Sequence, residues 1–263
     1  MTLTPTNLLC VLTVAAALSC HAQERLFVAV DYMHLPDSSN ERAYIELEKL
    51  WQRIHQKAVD GGRCRGWYLD RIENDSRNQF VTIRVYDAAK NLFEPWPGPL
   101  PTLIKDHFST EEAAIMEKTE QIRQLTRSEV WEVEASAMKS SEEVADYIRV
   151  DYMKVAPGKM EAYYQAEKEV WRKAHQSRID SGAMMVWFFL SRWFPSGTDM
   201  EYDFVTVNGY ASKAAWEKPW DVDKIQAALT KEELAKGAET LGMRSAVRSE
   251  IWRPVLRTKP PAK

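Results

Sequence analysis

The chain has 263 residues, 45% of them hydrophobic, with 35 Lys and Arg against 38 Asp and Glu and a formal net charge of −3. That supplies one large core or two of ordinary size, and the near balance of charge excludes a disordered chain and a basic nucleic-acid surface. Ten Trp are the departure from average usage, and large aromatics either fill cores or line ligand pockets.

An apolar run from Leu8 to Leu18, followed by small residues and a cleavage site after Ala22, opens the chain. The run is too short to span a bilayer, so residues 1–22 are expected to be a cleaved export signal and the mature protein to be periplasmic or extracellular. Lipid attachment at Cys20 is the alternative, but Ala17 stands where a lipoprotein signal usually has Leu. After cleavage Cys64 has no partner for an intrachain disulfide, and the buried apolar role is expected for it rather than that of a nucleophile.

From Leu26 to Met33 the pattern alternates and predicts a strand; Glu41 to Asp60 has helical apolar spacing and stops at Gly61-Gly62. Strands are predicted over Gly66 to Ile72 and Gln79 to Tyr86. The Pro-rich stretch Phe93 to Pro101 is read as a connection, either a lid or a rigid segment whose Trp96 plugs the core edge. An acidic helix opens at Ser109 with a capping-box pattern, and Ser128 to Val133 closes the set.

The set then recurs. "VAVDYM" at Val28 matches "IRVDYM" at Ile148, "WQRIHQ" at Trp51 matches "WRKAHQ" at Trp171, and "RSEVW" at Arg127 matches "RSEIW" at Arg248. Cys64 aligns with Met184, Thr230 opens the second acidic helix, and Ser249 to Val255 is the second closing strand. Strand, helix, strand, strand, helix, strand is the ferredoxin-like order, with both helices on one face of an antiparallel sheet. The bare face needs cover, which a second module supplies. The expected fold is therefore α+β: two tandem ferredoxin-like βαββαβ modules packed sheet to sheet as an intramolecular barrel, a monomeric pseudo-dimer. Its parts are the signal 1–22, a first module 23–135, a linker 136–146, a second module 147–256 and a tail 257–263.

This doubled pattern, with "VDYMKVAPGKMEAYYQAEKEVW" and the strand "YDFVTVNGY" in the second copy, resembles the dimeric α+β barrel superfamily in tandem-fused form. Within it, the Trp-x-x-x-His helix and Gly-x-x-x-x-Trp strand resemble uncharacterised secreted bacterial members, over about residues 25 to 255. The resemblance implies the barrel; it implies no one reaction, because the superfamily includes cofactor-free monooxygenases, haem-binding and haem-degrading enzymes, mutarotases and stress-response proteins.

Candidate site residues follow from helix and strand faces. Trp51 and His55 share a face, as do Tyr164, Glu167, Trp171 and His175 in the second copy. One reading is a helix–sheet pocket for a small apolar or aromatic molecule, lined by Tyr164, Trp171, His175 and Trp187, with Trp51, His55 and Trp67 as the counterpart. An enzymatic version, monooxygenase-like, uses His175 as base with Glu167 orienting it. The alternative is a structural or interaction protein without a ligand, these residues being core. In gapless register Glu167 aligns with Leu47, while Glu48 is offset by one position and points about 100° away, so the two copies are expected to be chemically unequal. On the strands, Asp31 and Asp151 are expected to face the barrel interior with Thr82, Arg84, Tyr86, Arg149, Thr206, Asn208 and Tyr210, either in cross-barrel ion pairs or in a polar ligand cavity. No clustered Cys/His spacing predicts a metal and no cofactor motif is present; haem is a minor possibility that the resemblance leaves open.

Overall fold

The computed structural model describes residues 25–139 and 145–261. The expected export signal with Cys20, and the middle of the expected linker, lie outside the described residues.

Strand β1 spans Phe27–His34, helix α1 Glu41–Asp60, β2 Gly66–Ile72 and β3 Phe80–Tyr86. Helices α2 (Lys90–Phe93), α3 (Leu100–His107), α4 (Thr110–Met116) and α5 (Thr119–Ile122) lead to strand β4, Gln124–Met138. In the second half, β5 (Tyr147–Val155) precedes one long helix whose ends, α6 (Met160–Ala166) and α7 (Arg172–Asp180), are joined by a π-helical turn, Glu167–Trp171. Strands β6 (Val186–Phe194) and β7 (Phe204–Tyr210), helices α8 (Lys213–Trp216), α9 (Val222–Ala228) and α10 (Lys231–Leu241), and strand β8 (Arg244–Arg257) follow.

Helix α1 forms because Tyr44, Leu47, Ile54 and Ala58 fall on one face and are buried there. It stops where Gly62 takes a φ of 67°, as Gly182 does at 74° in the second half, a conformation that costs other residues. Ser109 with Glu112 and Thr230 with Glu233 form the expected capping boxes of α4 and α10. The Pro-rich stretch is less irregular than expected, since Phe93 ends α2 and Leu100-Pro101 open α3, where a missing N–H costs nothing.

Eight antiparallel strands close a barrel in the order β1-β3-β2-β8-β5-β7-β6-β4. The closing strands are longer than expected because each belongs to both halves. Strand β4 pairs with β1 and then with β6, where Met138 stands opposite Val186; β8 pairs with β5 and then with β2. Ser136 to Met138, expected as linker, are thereby sheet. Closure leaves no free edge among the described strands.

The expected alternation is present with opposite parity. Val30, Tyr32 and Val81 meet Val150, Tyr152 and Val205 in one buried cluster inside the barrel. Asp31 and Arg84 instead lie toward the helices and bond each other, Asp31 also accepting from Ser128. Asp151 accepts from Arg149 and Ser249, so among the described residues neither aspartate pairs across the barrel. Tyr86 packs on Ala58, Val59 and Cys64, and Tyr210 on Trp187 and Ile179, again on the helix side. A period of two cannot choose between faces that are both buried; the closed interior, having no solvent margin, takes the more uniformly apolar set.

One end of the interior is sealed by polar side chains. The Tyr32 and Tyr152 hydroxyls are 2.5 Å apart, and Tyr152 donates to Glu250 at 2.8 Å. Tyr202 donates to Glu129, while Arg127 and Arg248 cover the Tyr32 and Tyr152 rings at 3.9 and 4.0 Å.

Candidate functional site in the barrel interior

Beyond that seal the interior opens into a cavity of about 470 Å³. Its walls come from both halves: Val28, Ile83 and Val133 from the first, Ile148, Val186 and Val207 from the second. These six pack against the core yet are only partly buried, because the cavity faces them. Exposed Asp146, Pro254 and Val255 mark the mouth. The floor carries Trp131 and Trp252, stacked 6.3 Å apart. Both indole N–H groups point away, to Tyr202 at 3.2 Å and Glu250 at 2.8 Å, so the rings offer the cavity only carbon and π surface.

One carboxylate interrupts this apolar wall. Asp70 of β2 is 4% exposed and lines the cavity beside Tyr68. Burial pushes its carboxyl up to about 7, opposed only by the charge of Arg257, and no donor among the described residues bonds it. Leu190 and Phe188 of β6 occupy the places in the second half that Asp70 and Tyr68 occupy in the first. The repeat carries this signal as a mismatch, Asp70 against Leu190, three residues after the matched Trp67 and Trp187.

None of the expected ligand residues lines the cavity: Tyr164, Trp171, His175 and Trp187, like Trp51, His55, Trp67, Asp31 and Asp151, lie in the helix–sheet layers. Three of them are brought together. His175 is stacked on Trp187 with centroids 4.9 Å apart and capped by Trp220 at 5.6 Å, while Trp171 lies 6.4 Å away. In the first half His55 is stacked on Trp67 at 5.1 Å and capped by Trp96 at 4.9 Å, which is the plugging role expected of Trp96. Tyr164 stands apart, donating to Glu134 at 2.7 Å and accepting from Lys168 at 2.8 Å. Burial holds both imidazoles below their usual range, His175 at about 3, helped by the Arg178 guanidinium 3.4 Å from its Nδ1. So weak a base is poorly suited to proton abstraction near neutral pH. Cys64 is buried and bonded to the Gly66 carbonyl at 3.0 Å, its thiol raised to about 11.

Glu167 does not orient His175; its neighbours are Tyr163 and Arg244. The first half has the same trio, Tyr44, Glu48 and Arg123, with Arg123 2.8 Å from Glu48. Tyr44 packs on Phe80 at 4.7 Å and Tyr163 on Phe204 at 5.4 Å, at the starts of β3 and β7. Thus Glu167 corresponds to Glu48, not to Leu47, and the expected asymmetry is removed. The π turn absorbs one extra residue between Glu167 and Trp171, which gapless alignment cannot register. Burial raises both glutamates to about 7.

The residues do not fit haem, since neither buried histidine faces the cavity and both are clamped between indole rings. Among the described residues no group of three His, Cys, Asp or Glu is placed to hold a metal ion, and no helix is long and apolar enough to cross a membrane.

No family profile and no curated protein matches the chain. Among solved structures, a provisionally named monooxygenase of Lactobacillus acidophilus is similar at 13% identity and a TM-score of 0.56, over 92% of this chain and 99% of that one. An anthrone oxidase-like protein is similar at 14% identity and a TM-score of 0.54, over 91% and 95%. A haem-binding protein of Thermus thermophilus overlays at 9% identity and a TM-score of 0.49, over 90% and 93%, too loosely to bear on cofactors. At these identities the likeness is one of architecture, and what it establishes is that the chain has the dimeric α+β barrel fold.

Proposed function

We propose that this protein binds a small, largely apolar or aromatic molecule inside its barrel, in a cavity shared by two tandem ferredoxin-like modules. The observation that carries the reading is the 470 Å³ space with aliphatic and indole walls and one buried carboxylate, Asp70. Such a volume suits a ligand of roughly drug-like size. Export belongs to the same reading, and a mature protein beginning at Gln23 is its test.

Titration with the neutral fluorescent probe N-phenyl-1-naphthylamine tests the site. Saturable enhancement is expected in the parent and its loss in Val207→Trp, which fills the cavity while unfolding at an unchanged temperature. Binding that survives Val207→Trp sinks the reading, and no binding at all favours a purely structural barrel.

A second reading, a cofactor-independent oxygenase, is favoured by the position of Asp70, whose carboxyl at about 7 suits a general base. The likeness to the monooxygenase and the anthrone oxidase-like protein is compatible with it. Oxygen uptake with anthrone that disappears in Asp70→Asn is the expected result; equal rates in the two proteins rule it out.

A further inference from the structure

We infer that the preferred ligand is an apolar or aromatic amine, bound with its ammonium group against Asp70. The inference rests on the proposal that the barrel interior is the binding site. Asp70 is a buried carboxylate aimed into an apolar cavity without a hydrogen bond from any described residue. A largely buried carboxylate without a protein donor is poorly compensated for its burial, and a ligand N⁺–H supplies a charge-assisted bond. Arg257 is the one cation whose charge reaches it, yet the two form no ion pair among the described residues. At the mouth Asp146 adds a second carboxylate, so among the described residues the cavity wall carries two acids against one guanidinium.

The rest of the wall favours the same class. Trp131 and Trp252 have their N–H groups committed elsewhere, which leaves ring faces that attract a cation and repel an anion. An anion would meet the Asp70 carboxylate with like charge. A neutral hydroxyl would gain a hydrogen bond but no ion pair. The second half has Leu190 at the equivalent position, so Asp70 has no counterpart carboxylate at the matching place on β6.

Three probes with one ring system separate these cases: 1-naphthylmethylamine, 1-naphthylmethanol and 1-naphthylacetate, titrated calorimetrically into the intact chain at pH 8. The amine is expected to bind about tenfold or more tightly than the alcohol, with the acetate weakest, a difference appropriate to one charge-assisted bond. Asp70→Asn should bring amine and alcohol to parity while leaving the alcohol affinity within about twofold. Asp70→Leu, which copies the second half, should also bring amine and alcohol to parity, with both weakened by the lost acceptor, and guards against a misfolded Asn variant. Parity in the parent, tighter alcohol, or tightest acetate overturns the amine assignment. Amine binding that persists in Val207→Trp overturns the cavity itself, a separate failure.

Discussion

The Tyr32 hydroxyl lies 2.5 Å from that of Tyr152, and because Tyr152 spends its single proton on Glu250, Tyr32 must be the donor between them. The chain of bonds runs from Tyr32 through Tyr152 to Glu250, at the sealed end of the barrel. Tyr32→Phe removes one link, and Tyr152→Phe removes both, leaving Glu250 with Trp252 and Arg248. Tyr152→Phe is expected to cost more, by about 1 kcal/mol, in urea unfolding at pH 8. Equal costs would mean that the chain does not run in this direction.

Asp70 opposes stability in a pH-dependent way. Its folded carboxyl, at about 7, lies above the ordinary unfolded value of 3.8, so the folded state holds the proton more tightly. The penalty is absent below about pH 4, grows between the two values and is complete above 7. Asp70→Leu is therefore expected to stabilise by on the order of 4 kcal/mol at pH 8 and by little at pH 4. A gain of the same size at both values would assign it to packing.

His175 acts in the opposite sense. Its folded value of about 3 lies below the unfolded 6.5, so stability present above 6.5 is lost as pH falls toward 3. His175→Phe keeps a ring between Trp187 and Trp220 but cannot titrate. Between pH 7 and 4.5 the parent should lose about 3 kcal/mol more than the variant. Parallel loss in both would mean that the imidazole is not held neutral.

The π turn makes a prediction about chain length. If it absorbs one residue, deleting Lys168 converts it to a regular helical turn like that of α1 and keeps Tyr163 and Glu167 in place. Thermal unfolding should then change by no more than about 1 kcal/mol. Deleting Lys49 from α1 should cost several times as much, because it swings Glu48 away from Arg123. Comparable losses from the two deletions would refute the equivalence of Glu48 and Glu167.

Much of the molecule was legible in its sequence because local chemistry decides local structure. The face of Tyr44, Leu47 and Ile54 defines α1, Gly62 and Gly182 end the helices, and Ser109 and Thr230 start others. The recurrence of His55 and Trp67 at His175 and Trp187 placed equivalent aromatic stacks in both halves. What stayed illegible depends on which surfaces meet. Asp31 and Val30 alternate whichever face is inside, and only the closing of β4 on β6 and β8 on β2 made the Val and Tyr set interior.

The site belongs to that second category. Sequence by itself determined the elements, their caps and the matched order of the two halves, since these rest on residues within a few turns of one another. Tertiary structure alone decided that Glu167 answers to Glu48, that the histidines are packed between indoles, and that Asp70 faces an apolar cavity. Those outcomes depend on register and burial, which no spacing within one strand or helix records.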